Sequence, residues 1–109
     1  MGQYFKIVNY DKREYVDPWE IGGTAKLFEW CANPQAGVFP FLLARSDDGE
    51  RSFRDEYPTA GRWAGDRVAL VGDYDRSGDY QAAEREFRNV SGQLRTDFNA
   101  YMGDERLEL

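Results

Sequence analysis

Tyr4-Phe5-Lys6-Ile7-Val8-Asn9-Tyr10, followed by Asp11-Lys12 and then Glu14-Tyr15-Val16, is the stretch on which the fold turns. Side chains alternate between the two faces of a strand, so Phe5 and Ile7 share one face and Tyr4, Lys6 and Val8 the other. Asp11-Lys12 supplies the polar turn, and Glu14-Tyr15-Val16 returns as the second strand of a hairpin. Asp17-Pro18 closes it, because proline has no amide hydrogen to give to a sheet ladder. Working outward, residues 66–71 read as a third strand ended by Gly72-Asp73, and residues 87–90 as a short one.

The helical segments lie between and after these strands. Thr24 is placed to cap a helix over 25–32, in which Leu27, Phe28 and Cys31 fall on one apolar face, and Pro34 stops it. Pro40 suits the first turn of a short helix near 39–45. Ser46-Asp47-Asp48-Gly49 reads as a surface turn, and residues 50–62 as a long irregular loop. Residues 80–86 have helix-forming composition. Ser91 is placed to cap a helix over 91–102, with Leu94, Phe98 and Tyr101 at i, i+4 and i+7, and Gly103 to end it. The tail 104–109 is expected to fray. The expected fold is α+β: one domain over 1–109, with a small, mainly antiparallel sheet of the hairpin and strand 66–71, one face of it covered by two or three helices.

Composition narrows the function classes. The chain has 109 residues and a net charge of −6, from 20 acidic and 14 basic side chains. That balance argues against nonspecific binding to duplex nucleic acid or to an anionic membrane, which need a cationic face. Seven Tyr, seven Phe and three Trp are ample for an aromatic core. Cys31 is the single cysteine, so no intrachain disulfide forms and a reducing, cytoplasmic setting is expected. The strand pattern begins at once with no leader-like apolar stretch, and no apolar run reaches membrane-spanning length.

Two motifs carry a resemblance. Met1-Gly2-Gln3-Tyr4-Phe5 with Val8-Asn9-Tyr10-Asp11-Lys12, and Trp63-Ala64-Gly65-Asp66-Arg67 followed by Gly72-Asp73-Tyr74, are both fairly specific in wording. Together the chain resembles a group of small uncharacterised proteins from bacteria and their phages. The resemblance covers most of the chain. It implies no activity, but it suggests a phage or mobile-element setting and a shared structural or binding role for the W-x-G-D-R strand.

The chemistry is limited first by what is missing. With no histidine, the commonest general base, zinc ligand and nucleophile partner is absent. Cys31, on an apolar helical face, is expected to be a buried structural thiol. No catalytic or cofactor-binding residue is identified, and the chain is not expected to be an enzyme. The sharpest pattern is Asp73, Asp75, Ser77, Gly78, Asp79 and Glu84, which fits the spacing of an EF-hand calcium loop. Oxygens from Asp73, Asp75, Ser77, Asp79 and Glu84 would ligate Ca²⁺. A strand, not a helix, precedes the loop, and a solvated acidic turn explains the same residues.

A second pattern interleaves arginines with aromatics: Phe53-Arg54, Arg62-Trp63, Arg67, Arg85 and Phe87-Arg88. Arg54, Arg62, Trp63 and Arg67 would form a small-nucleotide pocket by stacking and guanidinium–phosphate bonding. Equally, Trp63 is core and the arginines pair with carboxylates. Asp66 with Asp73, or Asp47, Asp48 and Glu50, would be the carboxylates of a small hydrolase. The leading expectation is a non-enzymatic binding protein acting on another protein or a small ligand. Such a module predicts an exposed apolar patch, whereas a hydrolase predicts carboxylates converging in a pocket.

Overall fold

The structure, a computed structural model, describes residues 3–23, 25–46 and 55–107. The element order is β1 (Phe5–Asn9), β2 (Glu14–Val16), α1 (Leu27–Ala32), α2 (Val38–Leu43), β3 (Val68–Gly72), α3 (Asp79–Glu86), β4 (Arg88–Asn89) and α4 (Ser91–Met102). Short 3₁₀ turns at Pro18–Ile21 and Pro34–Gly37 precede α1 and α2.

The hairpin forms as the alternation requires, with Ile7 opposite Val16 and Asn9 opposite Glu14. Asn9 Oδ1 accepts the Lys12 amide at 2.7 Å, and Arg13 takes a left-handed φ of 56°, which together tighten the loop. β3 runs antiparallel along the other side of β1, from Phe5 opposite Gly72 to Asn9 opposite Val68. β4 pairs with β2 in parallel, so the sheet order is β3-β1-β2-β4 and the sheet is mixed. The fold is α+β.

Both faces of this sheet are covered, not one. Ile7 and Val16 pack with Trp30 of α1, Val38, Phe41 and Leu42 of α2, Trp63, and Leu94 and Phe98 of α4. On the opposite face Val8, Tyr15 and Val71 pack with Ala83 of α3. The second layer arises because Lys6, Val8 and Tyr15 point away from the main core and still need shielding from water.

Three local expectations are corrected. In α1 the inward residue is Trp30, 1% exposed, whose indole Nε1 donates to the Phe5 carbonyl at 3.1 Å. Leu27 and Phe28 are 50% and 79% exposed and Cys31 is exposed, so the thiol is not a buried one. A six-residue helix carries only one large inward contact, and the bulkier indole takes it. The described part of the tail is anchored: Leu107 is buried, held by reciprocal bonds with the Asn99 side chain at 2.9 and 3.0 Å. Ser91 is not the cap but the first residue of α4; its hydroxyl accepts the Asp17 amide at 2.7 Å. Gly103 ends α4 in a left-handed conformation.

Residues 55–66 form successive turns laid against α2, with the Gly61 and Trp63 amides donating to the Phe41 and Leu42 carbonyls. Thr24, the turn residues 47–49 and loop residues 50–54 lie outside the described residues. No helix among the described residues is long and apolar enough to cross a membrane.

Candidate functional site

Arg62 and Trp63 are adjacent in the chain and converge on one carboxylate. Glu14, 3% exposed, faces the turn segment from β2. Arg62 Nε lies 3.0 Å from Glu14 Oε1, Arg62 Nη2 2.5 Å from Oε2, and Trp63 Nε1 2.7 Å from Oε1. Burial pushes the Glu14 carboxyl up, but the bonds from Arg62 and Trp63 outweigh it and hold its pKa below the ordinary value. Trp63 is 1% exposed, so its ring is core and has no face to offer a ligand. Arg67 lies elsewhere, its Nε 3.0 Å from Asp11 Oδ1 on the exposed hairpin turn. Of the residues expected to form a nucleotide pocket, Arg62 and Trp63 share a structural network and Arg67 stands apart, while Arg54 lies outside the described residues.

The acidic turn after β3 binds itself. The Asp73 carboxylate accepts the Tyr4 amide at 3.0 Å, and Asp75 Oδ2 accepts both the amide and the hydroxyl of Ser77. Those Ser77 bonds hold the Asp75 carboxyl below its usual range. Ser77 Oγ accepts the Asp79 amide at 3.1 Å, and Asp79 Oδ2 accepts the Tyr10 hydroxyl at 2.7 Å. Burial and that carboxylate together push the Tyr10 phenol up to about 12. Glu84, exposed on α3, lies 3.9 Å from Lys6 Nζ. Among the described residues no group of three or more His, Cys, Asp or Glu side chains is disposed to hold a metal ion. Nor do the hydrolase carboxylates converge. Asp66 and Asp73 flank opposite ends of β3, a five-residue strand about 16 Å long. Asp47, Asp48 and Glu50 lie outside the described residues.

Lys6 was not legible as special from the sequence. Its Nζ is buried 3.9 Å from the Tyr80 ring centroid and 5.1 Å from that of Tyr15, and it donates to the Tyr80 carbonyl at 3.2 Å. Burial lowers its pKa, partly countered by Glu84 and Asp17. This cage is filled by the protein's own lysine and fastens α3 to β1.

The apolar surface is found elsewhere, between α2 and the C-terminal half of α4. Pro34, Gly37, Pro40, Phe41, Ala44, Phe98, Tyr101, Met102 and Arg106 line an open groove of about 440 Å³. Three of its lining rings touch in a row, Phe98 to Phe41 and Phe41 to Tyr101, and Tyr101 in turn meets Tyr57 outside the lining, each pair with centroids 5.5 Å apart. These edge-on and tilted contacts fix the rings in place without a ligand. Gly37 makes the groove floor possible, since a Cβ there would come within 2.8 Å of the Phe98 ring. Arg106 is its one charged lining residue, and Arg106 Nε sits 3.2 Å from Asp104 Oδ1.

Helical spacing puts Phe98 and Tyr101 on one face of α4. Phe98 is core, but Tyr101 is 56% exposed. The signal that was available is an apolar stripe on α4 that runs past the last residue the sheet can cover. Comparison of the chain with protein families, with characterised proteins and with solved structures finds no match.

Proposed function

We propose that this chain is a non-enzymatic binding module that holds an apolar peptide segment of a partner protein in the groove between α2 and α4. The observation that carries this reading is the aromatic row Phe98-Phe41-Tyr101, two rings seated in the core and the third exposed, beside Pro34 and Pro40 in the groove. Concave sites of several hundred Å³ with apolar walls and few polar groups are where proteins take ligands. Because the groove is open, an occupant's main chain has room to continue past it, which fits a peptide better than an enclosed small molecule.

Arg106 sets the charge of the occupant. Its pair with Asp104 is half-exposed on both sides, and such pairs are worth little in water. A partner carboxylate next to the apolar anchor displaces Asp104 at small cost. The preferred occupant is an apolar segment with an acidic residue, or a C-terminal carboxylate, at the Arg106 end.

A displayed library of random peptides tests the reading. The wild-type chain is expected to enrich peptides with aromatic or aliphatic anchors beside an acidic group. Ala44→Arg, which fills the mouth of the groove from an exposed position, is expected to abolish the enrichment. Equal enrichment by both chains, or none by either, rejects the groove as the site.

A further inference from the structure

A second cavity, of about 480 Å³, lies between the turn at Pro58-Thr59 and the junction of β4 with α4. Arg62 and Arg88 both line it. We propose that this cavity binds the phosphoryl group of a small phosphorylated molecule on Arg62 and Arg88.

The two arginines play different parts. Arg62 commits Nε and Nη2 to Glu14, which leaves its Nη1 hydrogens outside that pair. Its side chain is 35% exposed, and the buried carboxylate behind it fixes the plane of the fork. A guanidinium already oriented in this way loses little freedom when it takes an oxyanion. Arg88, on the edge strand β4, makes no side-chain hydrogen bond or ion pair with any described residue, and it acts on Glu14 only through space. Its charge is therefore available to a ligand. Arg62 is balanced by Glu14, whereas Arg88 has no ion-pair partner among the described residues, so its positive charge remains for an incoming anion. Glu20 stands on the same wall, where it accepts from Asn89 Nδ2. Its charge opposes an anion and keeps the affinity modest.

The lining also selects the rest of the ligand. Planar forks match the oxygens of a phosphoryl group in pairs. None of the residues lining this cavity is aromatic, so a nucleobase finds no platform on which to stack. Asn89 and Gln93 present polar side chains suited to hydroxyl groups. A phosphorylated polyol fits better than a nucleotide.

Calorimetric titration with glucose 6-phosphate, inorganic phosphate, glucose and AMP tests this. The two non-nucleotide phosphates are expected to bind saturably in the millimolar range or tighter, glucose not at all, and AMP no more tightly than glucose 6-phosphate. Arg88→Ala is expected to weaken binding by about tenfold or more while leaving the ligand-free melting temperature within about 1 °C, because the side chain is exposed. If that variant does not fold, Arg88→Gln serves in its place. Ala44→Arg, which blocks only the apolar groove, is expected to bind phosphate as the wild type does. Absence of saturable heat up to about 20 mM, or unchanged binding by Arg88→Ala, overturns the proposal. AMP binding ten times tighter than glucose 6-phosphate overturns the polyol preference.

Discussion

On one side of the sheet, Ile7 and Val16 belong to a buried cluster of thirteen residues that includes Trp30, Phe41, Trp63 and Phe98; on the other, the buried cluster is four residues, Val8, Tyr15, Val71 and Ala83 of α3, with partly buried Tyr10, Ala69, Tyr80 and Phe87 against it. The first side is a core in which aromatic and aliphatic groups fill the space and one buried polar network is fully answered. The second is a thin layer fastened by directional contacts: Tyr10 to Asp79, Lys6 to the Tyr80 carbonyl, and Lys6 over the Tyr80 ring. Stability therefore resides mainly with the first side, and α3 is the element expected to open first, because few apolar contacts hold it.

The strongest way to break this contrast is Glu14→Ala. It leaves the Arg62 guanidinium and the Trp63 indole N–H facing an empty site on the main-core side. Arg62 is part-exposed and can be rehydrated, so the loss of the charge-assisted bonds with the indole N–H left unsatisfied is expected to cost about 2–3 kcal/mol in urea denaturation. A loss under about 1 kcal/mol would mean that water replaces the carboxylate and the network is peripheral. The same residue sets an acid limit. The folded-state pKa of Glu14 lies below its ordinary 4.5, so its contribution is complete above 4.5 and is lost as pH falls through the depressed value. A fall in urea midpoint below that pH is expected in the wild type and should be smaller in Glu14→Gln.

Gly23→Ala probes the packing of the same side. An added Cβ would lie 1.2 Å from Gln35 Oε1, and Gln35 is 1% exposed, so its side chain has little room to retreat. Overpacking of this kind is expected to cost about 1–3 kcal/mol. A stability change near zero would show the interior to be looser there than the geometry indicates.

Lys6→Met tests the thin side. It keeps the length of the side chain and removes a buried cation, losing the ring and carbonyl contacts but also the cost of desolvation. The two are expected to offset to within about 1 kcal/mol in either direction. A loss above about 2 kcal/mol would make the lysine cage a pillar and erase the distinction between the faces. Smallest of all is the effect of calcium. Asp73, Asp75, Ser77 and Asp79 already hold one another or their neighbours, so millimolar Ca²⁺ is expected to move the melting temperature by less than about 1 °C. A rise of about ten degrees, abolished by Glu84→Ala, would restore the calcium loop.

The hairpin, the short helix after Pro34 and the Gly103 stop were legible because each follows from neighbours within one turn or one strand. The face of α1 was not. Leu27, Phe28, Trp30 and Cys31 put apolar groups nearly all round a six-residue helix, and periodicity cannot choose among them. The Glu14–Arg62–Trp63 network joins residues 48 and 49 positions apart, and nothing local marks a long-range pairing of that kind. Of the residues grouped with Arg62, Trp63 shares its carboxylate while Arg67 pairs with Asp11. Arg88, which shares the Arg62 cavity, came from the far end of the chain by way of the parallel strand β4. The calcium-like spacing illustrates the converse: Asp73, Asp75, Ser77 and Asp79, spaced for one task, also serve turn and helix-start bonding.

The strand order has one more consequence. β4 closes its side of the sheet with only two residues, both exposed and polar, a poor template for another chain. Among the described residues β3 has a strand neighbour on one side only, and it is five residues of Val-Ala-Leu-Val-Gly without a charge. A longer, uncharged border of this sort is where molecules zip together when crowded or heated, so clumping of this protein should begin along β3. Placing a lysine on that border is the simplest way to keep concentrated samples clear.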